Sequence, residues 1–124
     1  MDEAGIPESL DSGSVNKAIK WFKEADKSIL MDEGEIQIYH SIPDTITLYR
    51  GVSVGRKLYG LSWTNDKDVA LWFKDRFDRT KTKGSLLMVE AKKENILASF
   101  GSRNEHEYVL DVNAAKDKIV ELSV

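Results

Sequence analysis

TITLYRG, residues 45–51, is the stretch on which the fold turns. Thr45, Ile46 and Thr47 are β-branched and Tyr49 is aromatic, types that suit a pleated, half-buried strand, and the run ends by delivering Arg50 into Gly51. Before it, apolar residues recur at helical spacing. After it, most of them come in short strand-like runs.

Upstream, Val15, Ala18, Ile19, Phe22, Ala25 and Ile29 form a helical stripe that Ser14 can cap, with Trp21 on its flank. Lys17, Lys20, Lys23, Glu24 and Lys27 take the wet side. Residues 1–13 hold Pro7, two glycines and several acids, and read as a flexible lead-in to one domain over 14–124. A short helical turn is expected from Glu35 to Ser41, ended by Pro43. Downstream, LYGLSW (58–63) reads as a second strand, and Asn65 or Asp66 starts a helix whose Val69, Trp72, Phe73 and Phe77 share a face. DRTKTKG (78–84) is a polar, basic connection. SLLMVEA (85–91), NILAS (95–99), EYVLD (107–111) and KIVEL (118–122) complete the strands. One helical piece followed by a mostly β body predicts an α+β domain.

The 124 residues are 41% hydrophobic and 31% charged, an ordinary globular composition able to bury a core. A net charge of −3, from 18 basic and 21 acidic residues, argues against broad electrostatic binding to nucleic acid. The absence of cysteine removes disulfide and thiolate chemistry. No apolar run approaches the ~20 residues of a membrane span, and MDEAGIPESLDSG lacks the basic-then-apolar layout of a signal peptide. These features predict a soluble, cytoplasmic, monomeric protein without a membrane partner.

Chemistry concentrates in SRNEHEYVLD, residues 102–111. Strand alternation turns His106 away from Glu105 and Glu107, and the only other histidine is His40, so a metal site is not expected. No Gly-x-Ser-x-Gly elbow and no phosphate-binding glycine loop occurs. The same alternation puts Glu105 and Glu107 on one face, where like charges repel unless a cation or donor compensates. A site that stabilises developing positive charge, as in glycosidic cleavage, needs such a carboxylate. The alternative is a charged beginning to an edge strand. Arg50 can grip a diphosphate with its fork of donors, or simply be a solvated strand end. Ser62 and Thr64 share a face opposite Trp63, and either can instead cap the next helix.

In this order, Tyr49-Arg50-Gly51, Ser62-Trp63-Thr64 and Glu105-His106-Glu107 resemble the ADP-ribosyltransferases of the Arg-Ser-Glu class. These are the cholera-toxin-like and clostridial-toxin-like enzymes, with small phage-encoded members. The resemblance covers roughly residues 45–122, and SWTNDKDVALWFKDR adds to it because the family often follows its serine motif with Ala and an aromatic. It implies an N-terminal helix packed on a split, two-sheet β body with an NAD cleft. It also implies cleavage of NAD at the nicotinamide–ribose bond and mono-ADP-ribosyl transfer to a target protein, most simply at arginine. Arg50 would hold NAD phosphate and ribose beside Gly51. Ser62 would orient the catalytic Glu107, with Thr64 as the second hydroxyl. Glu105 would take the acceptor guanidinium, Phe100 would face the protein target from the turn before the glutamates, and Arg76 would be a second phosphate contact. Phe73 reads as core. The central motif here is Ser-Trp-Thr where Ser-Thr-Ser is commoner. Three alternatives remain: an NAD glycohydrolase, a non-catalytic binding or inhibitor module on the same cleft, and transfer to nucleic acid through Arg79, Lys81 and Lys83. An inhibitor or activator protein is a conceivable further partner.

Overall fold

Helix α1 spans Ser12–Glu24, beginning two residues before the expected cap. It buries Val15, Ile19 and Phe22 and leaves Trp21 on its flank. The computed structural model describes residues 12–53, 59–75, 83–101 and 107–123, so residues 1–11 of the expected lead-in lie outside it. The stripe does not run on to Ile29, which is 83% exposed. Asp26 interrupts it by accepting from Ser28 N at 3.0 Å and Ser28 Oγ at 2.7 Å, which caps a new turn, α2 (Lys27–Leu30). Lys27, expected on the wet side, turns inward. Its Nζ donates to Phe22 O at 3.1 Å and Leu97 O at 2.6 Å, and desolvation by burial lowers its pKa. Helix α3 (Glu33–His40) starts from a capping box between Asp32 and Glu35.

The strands are β1 (Thr45–Val52), β2 (Ser62–Thr64), β3 (Ser85–Lys92), β4 (Ile96–Phe100), β5 (Glu107–Leu110) and β6 (Val120–Leu122). They form one six-stranded sheet in the order β4-β5-β2-β1-β3-β6, with every pairing antiparallel. The expected pair of separate sheets is therefore corrected to a single sheet. Its joint is narrow, however. β1 and β3 are in register from Thr45↔Lys92 to Val52↔Ser85, whereas β1 meets β2 at the single pair Tyr49↔Thr64. That pair keeps the ladder continuous across two three-stranded halves.

One face of the sheet carries the main core. Leu48, Val52, Trp63, Leu87, Val89, Tyr108 and Leu110 are buried there with Val15, Ile19, Phe22, Met31 and Ile42. Helix α5 (Val112–Ala115), capped by Asp111, adds Val112 and Ala115. Burial of this kind contributes about 1.5–3 kcal/mol per large apolar side chain. No helix among the described residues is long and apolar enough to cross a membrane.

Helix α4 (Lys67–Asp75) lies on the other side of β1. Strand alternation turns Gly51 away from Leu48 and Val52, and a Cβ added to Gly51 would sit 1.6 Å from Ala70 O and 2.8 Å from Lys74 N. Ala70 and Lys74 are the buried positions of this helix, and Trp72, expected on its inner face, is 60% exposed. Phe77 lies outside the described residues. Gly51 is thus the seat of a helix. Gly51→Ala pushes a methyl group into backbone that cannot rotate away, and should destabilise the fold by at least about 1–3 kcal/mol in denaturant unfolding. A variant that unfolds at the wild-type midpoint would show that α4 is not seated there.

Candidate functional site

Arg50, Ser62 and Glu107 come from three adjacent strands, β1, β2 and β5, and the fold links them in series. Arg50 Nη1 donates to Ser62 O at 3.0 Å, and Ser62 Oγ donates to Glu107 Oε2 at 2.5 Å. The second bond is of the short, charge-assisted kind. Arg50 is 3% exposed and Ser62 2%, while Glu107 is half-buried at the open end of β5. The chain of bonds therefore runs from a buried cation, through a backbone carbonyl and its own hydroxyl, to a carboxylate that still meets solvent.

Local sequence explains each position. The single β1–β2 pair at Tyr49↔Thr64 leaves Arg50 next to the joint, where its guanidinium can reach the neighbouring strand. It lies against Gly60, where an added Cβ would sit 2.5 Å from Arg50 Nη2 and 2.6 Å from Cζ. Trp63 Nε1 donates to Gly60 O at 2.9 Å from within the core. Leu58, the first residue of the strand expected at 58–63, lies outside the described residues, and from Tyr59 onward the strand begins only at Ser62, because the Gly60 carbonyl is taken by Trp63 and its Cα faces Arg50.

The two hydroxyls of the Ser-Trp-Thr motif divide their work. Ser62 serves the glutamate. Thr64 Oγ1 accepts from Asp66 N at 3.1 Å, and Asp66 Oδ1 accepts from Asp68 N at 2.9 Å, so this pair begins α4. Thr64 is also the register partner of Glu107, which holds the glutamate beside β2. The far end of β5 is equally tied. Asp111 N donates to Asn95 O at 2.8 Å, Asp111 Oδ1 accepts from Ala114 N at 3.2 Å, and Asp111 Oδ2 pairs with Lys23 Nζ at 3.0 Å.

Phe100 departs from expectation. It is the last residue of β4, in register with Glu107 and packed against the core, rather than a side chain presented from a turn. Its strand pairing and apolar contacts hold it there. Glu105, His106, Arg76, Arg79 and Lys81 lie outside the described residues, and Lys83 is exposed. Three further residues support the site. Gly60 receives the arginine, Asp111 anchors β5, and Glu35 Oε2 accepts from Gly101 N at 2.8 Å just after β4. Only the last had a readable signal, the Asp32-x-x-Glu35 spacing of a capping box.

Compared with known proteins, the chain matches no family model, no curated protein and no solved structure.

The Ser62–Glu107 bond can be measured without any assumption about function. In a double-mutant cycle of Ser62→Ala and Glu107→Gln, unfolding free energies should show a coupling of about 1–3 kcal/mol. Additive effects would mean that the two side chains do not support each other in solution.

Proposed function

We propose that the chain is a mono-ADP-ribosyltransferase that cleaves NAD at the nicotinamide–ribose bond and transfers ADP-ribose to a protein, at arginine. The observation that carries this reading is the serial link from Arg50 through Ser62 to Glu107 across three neighbouring strands. Charged or polar side chains drawn from separate segments are linked around a half-buried carboxylate, and a purely structural role for Glu107 does not require that arrangement.

In this reading Glu107 acts electrostatically. As the carbon–nitrogen bond to nicotinamide breaks, its electron pair leaves with the nicotinamide and positive charge grows on the ribose. A carboxylate already oriented by Ser62 stabilises that charge without first having to reorganise. An acceptor guanidinium nitrogen then forms the new bond to the ribose carbon and gives up a proton, for which Glu105 is the assigned base. Glu105 enters on sequence spacing alone, two residues before Glu107. Arg50 serves first as a strut that fixes Ser62. At 3% exposure it offers a diphosphate little surface.

That burial favours one second reading, a binding module that keeps the linked strands and turns over no NAD. Incubation with labelled NAD, with and without cell lysate, separates the possibilities by the product formed: labelled protein, labelled nucleic acid, free ADP-ribose or none. Glu107→Gln should lower both transfer and hydrolysis by ~10²–10³ while NAD still raises the melting temperature. Arg50→Lys should lower NAD binding as well, since an ammonium cannot reproduce the planar fork. Full turnover in Glu107→Gln would remove that residue from the chemistry, and a melting curve unmoved by millimolar NAD would favour the binding module.

A further inference from the structure

Helix α1 buries Val15, Ile19 and Phe22, and its opposite flank carries a different pattern. Lys17, Lys20, Trp21 and Glu24 recur at i, i+3, i+4 and i+7, so they share one face of the helix. All four are exposed. Trp21 meets Phe22 edge-on at 5.0 Å between ring centroids and is still 58% exposed. Beside it the apolar surface continues onto α2, where Ile29 is the most exposed of the large apolar side chains described. Trp21, Glu24, Ala25, Asp26, Ile29 and Leu30 line a groove of about 270 Å³.

The charges on this face are ordered along it. Lys17 and Lys20 precede Trp21, and Glu24 and Asp26 follow it. Among the described residues neither lysine nor Glu24 has an ion-pair partner, and Asp26 accepts from Ser28 through Oδ1 alone. Glu24 ends α1, where the helix dipole favours a base over a carboxylate. Local helix stability therefore does not account for this order, but it is self-complementary. A two-fold axis beside Trp21 sets Lys17 of one copy opposite Glu24 of the other, and Lys20 beside the other Trp21, at both ends alike. A purely basic or purely acidic ligand would match half of the face and be repelled by the other half. A reversed copy of the same face matches all of it.

We propose that this face of α1 and α2 is a self-association surface, through which two copies of the chain pair with their α1 helices antiparallel and Trp21 at the two-fold axis. The groove takes the methylene stem of Lys17 or Lys20 from the second copy, whose ammonium group reaches Glu24 or Asp26. Antiparallel helices also set their dipoles against each other favourably. With 13 residues, α1 is about 20 Å long. Such a face is small beside the ~1,200–2,000 Å² of a standard stable interface, so the dimer is reversible and forms at high concentration. The monomer expected from composition is its dilute form. This pairing does not rest on the transferase reading, because Arg50, Ser62 and Glu107 belong to strands and take no part in the face.

Sedimentation equilibrium of the full chain, from about 10 μM to about 1 mM at low salt, tests the pairing. The mean mass should rise from 14.0 kDa toward twice that value. Trp21→Ala should weaken association about tenfold or more, and about 0.5 M salt should weaken it too. Lys17→Glu and Glu24→Lys each set like charges opposite one another across the axis, and each variant alone should stay monomeric. Mixed in equal amounts the two should associate again, since each supplies the charge that the other lacks. All three substitutions fall at exposed positions, and circular dichroism with melting temperature checks that each variant is folded. Recovery on mixing is the mark of a reversed, two-fold pairing. A wild type that stays at 14.0 kDa throughout overturns the proposal and leaves the face to a partner of another kind. A dimer indifferent to Trp21→Ala overturns it as well, since that interface lies elsewhere. So do single charge variants that pair as the wild type does, and a mixture that fails to associate.

Discussion

A buried guanidinium spans the weakest joint of the sheet. Arg50 is 3% exposed, and β1 and β2 share only the Tyr49↔Thr64 pair, so its bond to Ser62 O is a principal tie between the two three-stranded halves. A charge removed from water costs several kcal/mol unless its donors are satisfied, which makes the surrounding geometry demanding. Gly60 lacks the side chain that would collide with the guanidinium, and Trp63 holds the Gly60 carbonyl from the core side. Ser62 is placed by these constraints, and Glu107 is placed by Ser62.

The remaining contacts keep that relay from shifting. β5 is fixed at its far end by Asp111, which joins α5, the turn at Asn95 and Lys23 of α1. β4, at one edge of the sheet, packs against α1 and α3 and receives one side chain from α2. Lys27 Nζ reaches Leu97 O, Tyr39 Oη donates to Ile96 O at 3.3 Å, and Ser99 Oγ reaches Glu35 O. The N-terminal helices thus do more than bury apolar area. They satisfy polar groups of the edge strand, and a buried carbonyl left without such a donor costs about 1–3 kcal/mol.

Much of this was legible in the residues. Leu48 and Val52 alternate with Tyr49 and Gly51 as a strand requires, and the fold class follows from where that alternation begins. Arg50, Ser62 and Glu107 stand out in the sequence by chemistry and order, and the structure joins them by hydrogen bonds in series. Other features depended on contacts that no local pattern encodes. Nothing in the local pattern at Gly51 says that a helix packs on it, and only the position of Ala70 shows this. Ile29 continues the α1 periodicity perfectly well, but Asp26 caps a new turn and the local hydrogen bonds to Ser28 override the pattern. Whether the strands form one sheet or two turns on a single residue pair, below the resolution of any propensity. Thr64 and Ser62 are chemically near-equivalent, and their different duties follow from Asp66 standing beside one and Glu107 beside the other.

The relay has a consequence for how a phosphate and a ribose would be recognised together. Ser62 accepts from Arg50 through its carbonyl and donates to Glu107 through its hydroxyl, so one residue meets both charges. Arg50 is 3% exposed, so a diphosphate could engage it only by first loosening contacts such as its bond to Ser62 O. Any resulting movement of Ser62 would change the orientation of the Glu107 carboxylate. By linkage, a ribose held at Glu107 would alter the affinity for phosphate at Arg50 by the same factor. In such a site the two halves of the ligand are read jointly.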